Sequence, residues 1–213
     1  MKQLARKAGV LFLLVCALVG LTACGVNDFD AAGYVEAYMD AVYKQKYESY
    51  AKFTEQTEAE AEAGIVKIEK EDLASSYADM DLTDEDLDGY YQVINKVYNK
   101  VKYEVKEAKE TEDKNYTVTI EIEPMDTFTT FGSNLDEKLA EEYADVTEVP
   151  SYQEILEFTS NYLLECSENV TYGEPVTIEV DVTHDDDNVY SISDDDLQVI
   201  ETALMPEANG TSE

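Results

Sequence analysis

The chain has 213 residues, 48 of them acidic and 15 basic, for a net charge of −33 at neutral pH. A surface of that sign repels nucleic-acid phosphates and anionic lipid headgroups, so neither is an expected partner, whereas cations, basic peptides and polyamines are attracted. Acidity of this degree also accompanies disorder, but the apolar residues, 44% of the chain, recur periodically, which argues for a packed core.

The amino terminus carries Lys2, Arg6 and Lys7, followed over residues 10–21 by VLFLLVCALVGL without a charge. That is the layout of a secretory signal, and the apolar run is short for a bilayer span. Leu21-Thr22-Ala23-Cys24 resembles the lipobox of bacterial lipoproteins. The resemblance implies diacylglycerol transfer to the Cys24 sulfur and cleavage before it, so residues 1–23 are expected to leave as a signal peptide. Residues 24–30 are then a lipidated cysteine and a short tether. Two acyl chains, at about 0.8 kcal/mol per buried methylene, anchor a protein stably to a bilayer. The expected location is the cell membrane, facing outside the cytoplasm. The remaining residues hold 48 acids, 12 lysines and no arginine, a net charge of −36. Cys16 departs with the leader and Cys24 carries lipid, so Cys166 is left as a lone thiol, and the fold must be stabilised by its core without an intramolecular disulfide.

Residues 31–205 are expected to form one α+β domain, with 206–213 as a polar tail. A helix over 31–53 is predicted from Tyr34, Val35, Tyr38, Val42 and Tyr50, with Asp30 as its N-cap. Thr54 is the next expected cap, opening a helical stretch to about residue 77 with a break near Gly64. A third helix follows DLTDEDLDGYY (81–91), with Leu87, Tyr90, Tyr91, Ile94 and Val97 on one face. The period then changes to two: Val101, Tyr103 and Val105 alternate with charged residues, as do Tyr116, Val118, Ile120 and Ile122 with polar ones, which predicts an antiparallel hairpin around ETEDKN with one buried face. Pro124 ends the second strand. A helix over 129–143 and another after Ser151 follow, the latter opened by a Ser151/Glu154 capping box. Val176, Ile178, Val180 and Val182 begin a second hairpin around HDDDN, completed by a strand over 189–192, and a last helix closes the chain. Runs of helices and runs of strands, without strict alternation, point to helices packed on an antiparallel sheet built from two hairpins.

This element order, with KVKYEVKEAKETEDKNYTVTIEIEPMD and THDDDNVYSISDDDLQVIETAL, resembles a family of lipid-anchored Firmicutes proteins carrying a domain of unknown function. The resemblance implies a surface lipoprotein with an α+β domain, cone-shaped in the manner of nuclear-transport-factor folds, and supplies no catalytic residues.

Two acidic segments are candidate metal sites. Asp84, Asp86, Asp88 and Gly89 spell the opening of an EF-hand loop, but its twelfth position is Asn95, which cannot give the bidentate carboxylate that completes the shell. A helix start explains more of these residues: Thr83 as N-cap, acids at the positive end of the dipole, Asp86 reaching back, and Leu82 stapling onto Leu87. Ser193-Asp194-Asp195-Asp196-Leu197 repeats the pattern. The other candidate, Asp185, Asp186 and Asp187 beside His184 and Asn188, also suits a hairpin turn.

Enzyme signatures are sparse. His184 is the sole histidine, Cys166 falls on an apolar helical face, and no GxSxG, phosphate-binding glycine loop or HExxH is present. No cofactor is implied. Sixteen tyrosines, among them Tyr34, Tyr38, Tyr90, Tyr91, Tyr103, Tyr116 and Tyr162 on apolar faces, are expected in the core or lining a pocket between sheet and helices. The resulting expectation is a non-catalytic binding or accessory module with a cationic or envelope-protein partner. The alternatives are a cell-wall-acting hydrolase using a carboxylate pair and a weak divalent-cation binder.

Overall fold

A computed structural model describes residues 19–20, 29–185 and 189–206. Within them the chain forms α1 (Ala31–Lys44), α2 (Glu48–Phe53), α3 (Glu58–Ser76), α4 (Asp84–Tyr98), β1 (Lys102–Glu110), β2 (Tyr116–Glu123), α5 (Thr127–Glu142), α6 (Tyr152–Glu168), β3 (Val176–His184), β4 (Val189–Ile192) and α7 (Asp194–Leu204). The α+β expectation holds: seven helices accompany an antiparallel sheet in which β1, β2, β3 and β4 lie side by side in chain order. Val19–Gly20 pairs with the outer edge of β4, Val19 opposite Tyr190.

The period-two pattern is realised most fully in β2. Tyr116, Val118, Ile120 and Ile122 face the core, while Thr117, Thr119, Glu121 and Glu123 are half-buried on the other face. Val180 and Val182 of β3 and Tyr190 and Ile192 of β4 continue the buried face. Strand β1 is more open, and its register shifts between Val105 and Glu107, a bulge that blunts the sheet edge. Its turn to β2 is tight: Asp113 and Lys114 adopt φ of 57° and 60°, and Thr111 N–H donates to Asn115 O at 2.7 Å.

Helix α1 lies against β1 and β2, and α7 against β3 and β2. The remaining long helices pack in series, α3 on α4, α4 on α6 and α6 on α5. Tyr34, Val35, Met39 and Ala41 of α1 are completely buried, joining the sheet face to the helical layer in one core.

The caps carry most of the helix boundaries. Asp30 accepts from Gly33 N–H at 2.9 Å, and Thr83/Asp86 and Ser151/Glu154 close reciprocal capping boxes, as their spacing predicts. Ser193 likewise caps α7 through Asp196 N–H at 3.1 Å. Three expectations need correction. The helix over 31–53 is two helices, because Gln45 takes a left-handed conformation (φ 55°) and ends α1, with Lys46 N–H returning to Asp40 O. Thr54 closes α2, and the cap of the next helix is Thr57, whose box partner is Glu60. Helix α3 runs through Gly64 without a break.

Candidate functional site

Helices α3 and α4 and the turn after α1 enclose a cleft of about 540 Å³. Helix α4 supplies Asp88, Tyr91, Gln92, Asn95 and Lys96, and its C-cap Asn99 continues the same face. Opposite stand Glu62, Val66 and Lys70 of α3, spaced by four, and the turn adds Gln45 and Tyr47. The left-handed Gln45 is what brings Tyr47 back to this wall, where it is buried.

The wall is organised around one buried acid. Glu69, 1% exposed, accepts a hydrogen bond at Oε2 from the hydroxyl of Tyr91, while its Oε1 meets no donor among the described residues. Burial pushes the Glu69 carboxyl up to about 7, the Tyr91 hydrogen bond opposing the shift. Burial, with Glu69 and Glu62 nearby, pushes the Tyr47 phenol up to about 12, and burial and Glu69 raise that of Tyr91 further. Lys70 stands 5.3 Å from the Tyr91 ring centre and pairs with Asp88 at 2.8 Å. The cleft therefore presents two cations, two acids, four amides and two phenols, with the buried Glu69 carboxyl behind the Tyr91 hydroxyl. That set suits a polar ligand with both donors and acceptors.

A second buried acid lies on α7. Glu201 is 8% exposed and burial pushes it, too, up to about 7. The charges of Glu69 and Glu201 both bear on Tyr43 and Tyr98, whose rings meet edge to face at 5.7 Å.

The residues singled out in the sequence are dispersed. Asp84 is exposed on the first turn of α4. The Asp86 carboxylate is taken by the Thr83 hydroxyl and N–H at 2.7 and 2.8 Å and by Gln153 at 2.8 Å; the Thr83 bonds hold it below the usual carboxylate range. Asp88 faces Lys70. The helical backbone leaves Asp84 exposed and gives Asp86 and Asp88 different partners, so the calcium-loop arrangement is not formed. Asp185 accepts from Val189 N–H at 2.9 Å, as a turn residue does. His184 stacks on Tyr190 with ring centres 5.3 Å apart. Asp186, Asp187, Asn188 and Cys24 lie outside the described residues. Among the described residues no cluster of three or more His, Cys, Asp or Glu side chains could hold a metal ion. Cys166 is buried on α6. Of the seven tyrosines placed on apolar faces, Tyr34, Tyr38, Tyr90, Tyr91 and Tyr116 are buried and Tyr103 and Tyr162 are half-buried; Tyr91 alone of these lines the cleft.

Sequence reasoning missed Tyr47 and Glu69. Glu69 did leave a signal, since Ala61, Ile65, Glu69 and Leu73 recur every fourth residue and an acid occupies the third place of an otherwise apolar stripe. Tyr47 left none, because its position depends on the unannounced turn at Gln45.

No helix among the described residues is long and apolar enough to cross a membrane. No protein-family model matches the chain, and no curated protein does. A solved structure with a similar fold is that of YcdA from Bacillus subtilis, described as a "putative lipoprotein", at 20% sequence identity and a TM-score of 0.56. The alignment covers 84% of this chain and 56% of that protein, so the chain spans little more than half the length of its structural neighbour, and the likeness establishes the α+β fold.

Proposed function

We propose that the protein is a lipid-anchored binding or accessory module, held at Cys24 on the outer face of the cell membrane, with the α3–α4 cleft as its ligand seat. The observation that carries this reading is the cleft itself: a concavity of about 540 Å³ in which tyrosines, amides and both signs of charge converge. The ligand class that matches it is a polar molecule without strong net charge, such as an oligosaccharide or a short zwitterionic peptide. A charge-balanced rim on a −36 surface favours such ligands over anions. The leader and Leu21-Thr22-Ala23-Cys24 support the location, and the lipoprotein description of the structural neighbour accords with it.

Calorimetry of the full chain in detergent with chitotetraose and with alanyl-alanine tests the ligand seat. Saturable heat that Gln92→Ala and Lys96→Ala abolish is the expected result, and absence of binding to both probes counts against this ligand class. Intact-mass measurement of membrane-fraction protein tests the anchor, since a mass beginning at Met1 without acyl chains contradicts it.

One observation favours hydrolysis as a second reading. A carboxyl near 7 is protonated about half the time at neutral pH, the state required of a general acid. Glu69 is joined to the cleft through the Tyr91 hydroxyl, and Glu62 and Asp88, which line it, could serve as the ionised partner. Turnover of a cell-wall glycan lost in Glu69→Gln, with the fold intact by circular dichroism, would establish that role, and no turnover by the parent chain would remove it.

A further inference from the structure

A second concavity, sharing no lining residue with the first, lies between α5 and α6 and measures about 310 Å³. Its aromatic members are Tyr143 and Phe158, with ring centres 6.1 Å apart and planes crossing at 62°. Glu142, Glu154, Glu157 and Asn161 complete the lining. Tyr143 is held in place by donating to the Glu154 main-chain oxygen at 3.2 Å. The Glu154 carboxylate is occupied by the Ser151 cap, whereas Glu142 and Glu157 carry no ion pair among the described residues. Beside the groove, the loop over 143–151 and the first residue of α6 leave Val146 50%, Val149 90% and Tyr152 44% exposed. They are three of the five large apolar side chains the described surface exposes.

The distribution of charge says what covers this face. All 12 lysines after the leader fall at or before Lys138, and residues 139–213 hold 20 acids with no lysine or arginine. The lysines pair with acids of the earlier part of the chain, as in Lys44–Asp40, Lys52–Glu48, Lys70–Asp88 and Lys106–Glu121. The last of them pairs with Glu141, one residue short of the groove. No lysine lines the groove, so the cation that would pair with Glu142 and Glu157 is sought in another molecule. An inorganic ion would leave the rings and valines unused, and a polyamine would leave the valines unused. A chain with alternating basic and apolar side chains uses all of them.

We propose that the α5–α6 groove docks a basic, partly apolar segment of another polypeptide. One lysine or arginine side chain lies over Tyr143 and Phe158 between Glu142 and Glu157, and its apolar neighbours cover Val146 and Val149. Ring faces and carboxylates recognise the same cation, so both terms act on one side chain. This docking does not depend on the α3–α4 cleft holding a ligand.

The test is fluorescence anisotropy of a labelled peptide of alternating lysine and leucine with the full chain in detergent, at an ionic strength of about 0.15 M so that diffuse attraction is screened. The variant Glu142→Gln/Glu157→Gln is expected to weaken binding about tenfold, equivalent to ~1.4 kcal/mol, and Val149→Ser to weaken it measurably. Glu174→Gln/Glu179→Gln, which removes two exposed acids elsewhere, is expected to leave it unchanged, and the glutamate–leucine counterpart peptide to stay unbound. Equal weakening by both double variants would show diffuse attraction and overturn the proposal. So would binding indifferent to Glu142 and Glu157. Displacement by spermidine together with indifference to Val149→Ser would identify a polyamine site instead.

Discussion

Glu69 occupies a position that Ile65 and Leu73 mark as apolar, and α3 buries it nonetheless. Removing a carboxylate from water favours its protonated form, which is why its carboxyl, like that of Glu201, is pushed up to about 7 from the usual 4.5. The folded chain therefore holds protons that the unfolded chain releases between those two values. Stability from this source is fully present below about pH 4.5 and is lost as pH rises through 7. Urea unfolding should accordingly show the parent chain less stable at pH 8 than at pH 5. Glu69→Gln, neutral throughout, should recover part of that loss at pH 8, on the order of 3 kcal/mol at most. An unchanged pH dependence in the variant would mean that Glu69 titrates normally.

At the level of elements, the helices are delimited by short-range chemistry, and their responses to substitution should be local. Ser151→Ala removes the hydroxyl that receives Glu154 N–H at 3.2 Å and should cost about 1 kcal/mol in chemical denaturation. Gly64 lies inside α3 with no neighbouring atom within 4 Å of an added Cβ, so Gly64→Ala should stabilise by about 0.5–1 kcal/mol in the same measurement. The elements that could be read from the sequence were those whose signal is contained within a few residues. The start of α4 followed from Thr83 and Asp86, that of α6 from Ser151 and Glu154, and both hairpins from their alternation. The end of α1 was hidden because Gln45 takes a left-handed conformation that glycine or asparagine normally announces. Thr54 and Thr57 both resemble caps, and the competition was decided by Glu60, whose carboxylate reaches the Thr57 N–H at 2.9 Å. The cleft was out of reach for a related reason. Its walls come from a turn and two helices, and no local pattern says which faces of α3 and α4 will border a cleft.

On the scale of the whole molecule, self-repulsion outweighs pairing. Most of the ion pairs among the described residues are solvent-exposed, and such pairs contribute roughly 0–1 kcal/mol each. The net charge of −33 acts against compaction as a whole. Sodium chloride should therefore raise the melting temperature as it screens the acids, and a fall on adding salt would show that the exposed pairs dominate. The sheet order has a different consequence, one of timing. The strands lie in chain order, yet β2 and β3 are separated by residues 124–175, which include both α5 and α6. Each hairpin can zip up from neighbouring residues, whereas the seam between them requires a long excursion to close first. Until Val180 and Val182 arrive beside Val118 and Tyr116, the first hairpin has an open inner edge. A chain made from its amino terminus therefore cannot finish its sheet until residues 176–192 have emerged, and its early half must wait, partly formed, for them.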